Sequence, residues 1–406
     1  MRRHFALFDS LRGLAVLAVL GFHVAALTGR LGEGPVGRVF EVLGGQAVIV
    51  FFVISGFLLY RPYVAARAAG SEQPSTRTFF HRRVFRIVPA YWVILTVLGI
   101  FPGVVGAFSG DWWRYYGFLQ VYSDETVLRG LPVAWTLGVE VTFYLMLPAW
   151  AWAVRRVPEG RGAEGWLRAE LAPLAIVAAG GYAVQLLAAR QVVSRTVADT
   201  IVGQFPWMAL GMALAVASVF VTRREEAGLR TPALAGLVAR GSGALWAIGV
   251  LALLGLAALV PPDGILGLLA AVTSVRPLPE AVAHIVLSGV LAAAFVLPAV
   301  FGEDAGGLPR RALAFAPVAW IGTASYSIYL WHLTLGQFIA LGESPGNFSA
   351  TGLGLLDHVE GASTAILLVL TVAAASLAAA ATYYGIERPF IDRSHGRRGR
   401  QAARGA

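Results

Sequence analysis

The chain has no cysteine among its 406 residues. That absence excludes disulfides, thiolate zinc sites, iron–sulfur clusters and a cysteine nucleophile together, and it removes the usual marker of redox compartment. Lysine is missing too, so the formal charge of +9 comes from 32 arginines set against 23 carboxylates. Charge is scarce overall: 14% of residues are ionisable Asp, Glu or Arg, whereas 57% are hydrophobic. Apolar surface on that scale exceeds what a water-soluble core hides, and lipid is the solvent the composition calls for. A basic balance can signal nucleic acid. Here the arginines lie in short loops between apolar runs rather than in one patch, which argues for a bilayer and against a nucleic-acid partner.

Runs long enough to cross about 30 Å of hydrocarbon fall near residues 6–27, 44–61, 84–106, 133–153, 171–189, 200–222, 243–262, 282–302, 313–341 and 361–385. The fold class they predict is an all-α polytopic membrane protein with about ten transmembrane helices. Residues 1–390 would form one transmembrane domain and 391–406 a basic cytoplasmic tail. Segment 112–122 is too short to span, and its paired tryptophans and tyrosines suit an interface. Arginine placement gives the orientation. The N-terminus, the tail and alternate loops between helices hold 24 arginines, and the remaining loops hold 7. Positive charge stays in the cytoplasm, so both termini are predicted there. Met1-Arg2-Arg3 followed by apolar residues imitates a secretory leader, but Asp9, Arg12 and His23 interrupt the run, and the segment is expected to be retained.

An ionisable group inside a bilayer costs about 2.5–3.5 kcal/mol on insertion scales, so each needs a reason. Arg12 and His23 lie eleven residues apart in the first helix. Eleven steps of 100° return to within about 20°, placing them on one face, roughly 16 Å apart along the axis. An elongated ligand with an anionic head fits that pair. A local alternative stands beside this reading, in which Arg12 pairs with Asp9 at i, i+3 and His23 bonds another helix.

The segment FDSLRGLAVLAVLGFH (Phe8 to His23) resembles the opening signature of the acyltransferase 3 family of membrane proteins. Further stretches resemble that family in the same order: FFVISGFLL (Phe51 to Leu59), RRVFRIVPAYW (Arg82 to Trp92), WTLGVEVTFYLMLP (Trp135 to Pro148), SYSIYLWH (Ser325 to His332) and IERPF (Ile386 to Phe390). The resemblance implies a membrane O-acyltransferase. Such an enzyme takes an acyl group, commonly acetyl, from cytoplasmic acyl-coenzyme A and places it on a hydroxyl of a sugar, glycolipid, cell-envelope glycan or glycosylated metabolite. The donor would be acyl-CoA, with acetyl-CoA first, no metal is expected, and the location would be the bacterial cytoplasmic membrane.

Residue by residue, the expectation is as follows. His23 acts as general base. Glu140, whose depth in its helix matches that of His23, stabilises the imidazolium; its rival role is an ion pair between helices. Arg83 and Arg86 match the RxxR pattern of the family and, with Arg12, would meet donor phosphates; positive-inside anchoring explains them equally without a ligand. Ser55, beside Gly56, belongs to helix packing or to the pantetheine path. Tyr144 follows Glu140 by one turn on the same face and would orient it, with an interhelical hydrogen bond as an equal rival role. Ser325, Tyr329 and His332 recur at i, i+4, i+7 as one polar stripe that should face the bundle interior and brace the site or touch substrate. Glu387-Arg388 reads as a structural latch, and His284 has no motif around it. The lack of a fused extracytoplasmic hydrolase-like domain leads to the expectation of no second transfer step on this chain. The rival function is a proton-coupled transporter, because buried Arg, His and Glu also line such pathways; the repeated halves typical of transporters are not evident.

Overall fold

The computed structural model describes residues 7–158, 162–229, 236, 238, 240–260, 275–301, 308–342, 349–358 and 364–395. Every extended element among them is helical. Within a bilayer this follows from the backbone: no water is present to bond a free N–H or C=O, so each segment must satisfy its own. The main helices are α1 (Leu7–Leu27), α2 (Gly34–Ala68), α3 (Thr76–Ile100), α4 (Trp135–Val154), α5 (Gly162–Ala189), α6 (Ile201–Glu226), α7 (Ser242–Ala258), α8 (Leu278–Val300), α9 (Ala316–Thr323), α10 (Ser325–Ala340), α11 (Thr364–Thr382) and α12 (Arg388–His395). Among the described residues eight helices are long and apolar enough to cross a membrane, and the chain is a multi-pass membrane protein.

Each of the ten predicted apolar segments contains a helix, but several ends differ. Helix α2 has 35 residues rather than the apolar stretch 44–61 alone. At 1.5 Å per residue it is roughly 50 Å long, well beyond the hydrocarbon, so polar turns bearing Arg38, Glu41 and Arg67 extend it at both ends. Helix α3 begins eight residues before its apolar run, where the Ser75 side chain accepts from the backbone N–H of Thr78, a standard N-cap. Helix α7 has 17 residues. The predicted segment 313–341 is broken into α9 and α10. The basic tail after His395 lies outside the described residues.

The chain forms two compact units. Unit 1 comprises residues 1–73 and 145–323, and unit 2 comprises 74–144 and 324–406. The break between α9 and α10 coincides with the border at Thr323, and α4 contributes its first half to unit 2 and its second to unit 1.

Unit 1 is held by small residues that let helix backbones approach, the usual substitute in lipid for a hydrophobic driving force. A Cβ on Gly56 would strike the Met208 carbonyl, and one on Gly211 would strike the Val53 carbonyl, so α2 and α6 lie backbone to backbone. Gly13 of α1 sits against the Val318 carbonyl of α9, 2.5 Å from where a Cβ would stand. Phe8 and Phe57 rings meet at 5.1 Å. In unit 2, the Tyr326 hydroxyl of α10 donates to the Ile87 carbonyl of α3 at 2.9 Å, and Trp331 Nε1 donates to Thr382 Oγ1 of α11 at 3.0 Å. Segment 112–122 is a short helix, Trp112–Tyr116, followed by a 3₁₀ turn, with both tryptophans exposed and Tyr115 buried. Its carbonyls at Tyr115 and Tyr116 accept from Tyr91 and Trp92 of α3.

Candidate active site

In unit 1, α1 presents Arg12 and His23. Arg12 Nη1 donates to Asp9 Oδ1 at 3.2 Å, so the local pair foreseen at i, i+3 is formed. His23 Nδ1 lies 2.9 Å from the Val19 carbonyl. A carbonyl oxygen only accepts, so Nδ1 carries the proton and Nε2 is the basic nitrogen of the neutral ring. Ser55 is buried on α2, one residue before the close approach at Gly56.

In unit 2, Arg83 and Arg86 stand one turn apart on α3. The Arg83 guanidinium lies over the Tyr144 ring, 5.9 Å from its centroid. Tyr144 is within hydrogen-bonding reach of both Glu140 and Arg83. Buried Nε atoms of Arg82 and Arg83 have no hydrogen-bond partner among the described residues. Ser325, Tyr329 and His332 are all buried, as a stripe facing protein requires. The Tyr329 hydroxyl donates to the Val133 carbonyl at 3.0 Å and pairs with Thr136 Oγ1 at 3.1 Å. His332 Nδ1 lies 2.8 Å from the Tyr329 carbonyl, which fixes its tautomer in the same way as that of His23. Glu140 is within electrostatic range of Tyr144, Tyr326 and Tyr329. The predicted residues therefore fall into two sets: Arg12, His23 and Ser55 in unit 1, and Arg83, Arg86, Glu140, Tyr144, Ser325, Tyr329 and His332 in unit 2.

Residues 5–385 match the family described as an acyltransferase domain. The chain belongs to the acyltransferase 3 family. It is 28% identical to the exopolysaccharide production protein ExoZ of Rhizobium meliloti over 93% of its own length and 96% of that protein. It is 31% identical to the acyltransferase MdmB of Streptomyces mycarofaciens, over 37% of the chain and 40% of that relative. Identity to the peptidoglycan O-acetyltransferase OatA of Listeria monocytogenes is 26%, over 36% of the chain and 24% of that relative. The match thus spans less than half the length of the latter two. No solved structure matches significantly.

This acyltransferase 3 member also holds polar pairs whose partners the sequence reading did not name. Ser327 donates to Glu387 in a very short hydrogen bond, with Arg86 in electrostatic range of the same carboxylate. Glu387 closes a π-helical turn, Tyr383–Glu387, and the latch reading of Glu387 fits this bond. In unit 1, Glu170 accepts from the Tyr60 hydroxyl at 2.8 Å and pairs with Arg67 at 3.5 Å. The available signal for Glu170 was a carboxylate at the edge of the apolar run 171–189.

Proposed function

We propose that the chain is a membrane O-acyltransferase that moves an acetyl group from acetyl-CoA to a hydroxyl of a carbohydrate, in the bacterial cytoplasmic membrane with both termini cytoplasmic. The observation that supports this reading most is the setting of His23: in a family member, at the R-x10-H position of α1, the Val19 carbonyl faces Nδ1 and leaves Nε2 as the basic nitrogen of the neutral ring, to which the role of base is assigned. The step is a simple exchange. The acceptor O–H proton passes to His23 Nε2 as the oxygen attacks the thioester carbonyl, a C–O bond forms, and collapse of the tetrahedral adduct breaks the C–S bond. The departing coenzyme A thiolate then takes the proton from the imidazolium. Glu140 is assigned to stabilise that imidazolium, a role supported by its place in the family stretch WTLGVEVTFYLMLP.

For the donor, Arg12, Arg83 and Arg86 are assigned to phosphate, supported by the planar fork of arginine and by the unpartnered Nε of Arg83. Ser55 is assigned to the pantetheine path, and Tyr144, Ser325, Tyr329 and His332 to support or substrate contact. A glycan acceptor is suggested by relatives whose names include peptidoglycan O-acetyltransferase and exopolysaccharide production protein.

The test is label transfer from radiolabelled acetyl-CoA by the purified full chain, alongside the acetyl ester content of envelope glycans and metabolites in a deletion strain and its parent. Loss of His23 as base should remove about 10²–10⁴ in rate. His23→Ala with near-normal turnover and unchanged donor binding would defeat the assignment.

A further inference from the structure

Glu41 is distant in sequence from Arg276 and His284, which lie eight residues apart; all three are in unit 1 and belong to none of the family motifs. Arg276 is within electrostatic range of Glu41, Arg195 and Glu280, and His284 within range of Arg276 and Arg195. The segment is anchored, since the Arg276 backbone N–H donates to the Ala189 carbonyl at the end of α5 at 2.9 Å. Arg195 in turn pairs with Asp199 at 3.5 Å. Helix α8, which carries His284, packs on α2, which carries Glu41.

Packing of α1 on α2 sets the level of this cluster. A Cβ on Gly21 would meet the Phe40 ring at 2.8 Å, and one on Gly44 would run into the Phe22 ring. Glu41 follows Phe40 directly and His23 follows Phe22, so the two lie at the same height of the helix pair.

Two buried polar atoms on the helices that carry the cluster have no hydrogen-bond partner among the described residues: Glu41 Oε2 and Ser288 Oγ. Ser288, one turn after His284 on the same face of α8, is 0% exposed. A buried polar atom left unpaired is costly, so the pair calls for a polar ligand. The available chemistry is mixed. Glu41 accepts, Arg276 donates, and Ser288 and His284 do both. Sugar hydroxyls, each donor and acceptor at once, match that mixture. A phosphate does not suit a cluster that includes carboxylates, nor an acyl tail one this polar.

We propose that Glu41, Arg276, His284 and Ser288 bind the carbohydrate acceptor and present one of its hydroxyls to His23. This rests on the acyl-transfer reading above. The experiment compares cells carrying the full wild-type chain with cells carrying Glu41→Gln, Arg276→Gln or His284→Asn at equal membrane abundance. Alkali-labile acetate from envelope and secreted glycans is measured, together with the Kd of each purified protein for acetyl-CoA. The expected result is a drop in acetate esters of about tenfold or more, with acetyl-CoA Kd within twofold of wild type. Esters within twofold of wild type in all three variants would overturn the proposal. So would a parallel loss of acetyl-CoA binding, which would assign the cluster to donor or fold. If even the wild type binds acetyl-CoA but forms no glycan ester, the glycan reading fails and this inference falls with it.

Discussion

At residue scale, a buried charge matters most through what is left behind when its partner goes. Arg12 already holds Asp9, so a donor phosphate must compete for a guanidinium that has five donors to share. Lysine keeps the charge and loses the fork. Arg12→Lys is expected to weaken acetyl-CoA binding roughly tenfold, about 1.4 kcal/mol, with membrane insertion unchanged. Calorimetry on the purified protein reads it, and an unchanged Kd would take Arg12 out of the donor site. Glu170 poses the opposite case, a carboxylate almost wholly buried between Tyr60 and Arg67. Glu170→Ala removes a buried carboxylate from the Arg67 cation, which keeps the Val154 and Val157 carbonyls as acceptors, and should cost about 3–5 kcal/mol, seen as a lower thermal midpoint in detergent, whereas Tyr60→Phe should cost nearer 1 kcal/mol. The two sites differ in legibility for one reason. Asp9 and Arg12 lie three residues apart on one helix, a spacing that sequence displays, while Tyr60 and Glu170 lie 110 residues apart and only folding introduces them.

At the scale of elements, the helix cores were legible and their ends were not. Hydropathy reports where lipid contacts the chain, and a helix does not stop where lipid does. Turns carrying Arg82, Arg83 and Arg86 therefore continue α3 into the polar region. The break at Ala324 was passed over because the runs on either side are apolar, although Gly322, Thr323, Ser325 and Ser327 cluster around it. Ser55-Gly56 was read as a packing site or a substrate path, and the backbone approach at Gly56 bears out packing at that glycine. Geometry separates glycines that composition treats alike. Gly211→Ala would place its methyl into the Val53 carbonyl, prising α6 from α2. Gly180→Ala on α5 has nothing within 4 Å of the added carbon and should gain about 0.5–1 kcal/mol from helix propensity. Thermal midpoints of the two variants are expected to move in opposite directions. Equal shifts would mean that α2 and α6 do not share this seam.

At the scale of the whole molecule, charge asymmetry makes a claim about orientation that can be tested without touching the site. Twenty-four arginines in one set of alternating segments against seven in the other is a bias that insertion machinery reads as cytoplasmic against extracytoplasmic. The absence of native cysteine leaves no background for a thiol reagent. Exposed positions suited to single cysteines are Gly70, Glu164 and Glu225 for the cytoplasmic side and Gly34 and Arg195 for the outer side. An impermeant maleimide applied to intact cells should label Gly34→Cys and Arg195→Cys and leave Gly70→Cys, Glu164→Cys and Glu225→Cys unreacted until the membrane is permeabilised. The stakes go beyond topology. Coenzyme A esters are cytoplasmic, so Arg83 and Arg86, thirteen and sixteen residues after Gly70 on the far side of the same loop, can meet the donor only if that loop is inside. Labelling of Gly70→Cys from outside would reverse the orientation and with it the assignment of these arginines to acetyl-CoA.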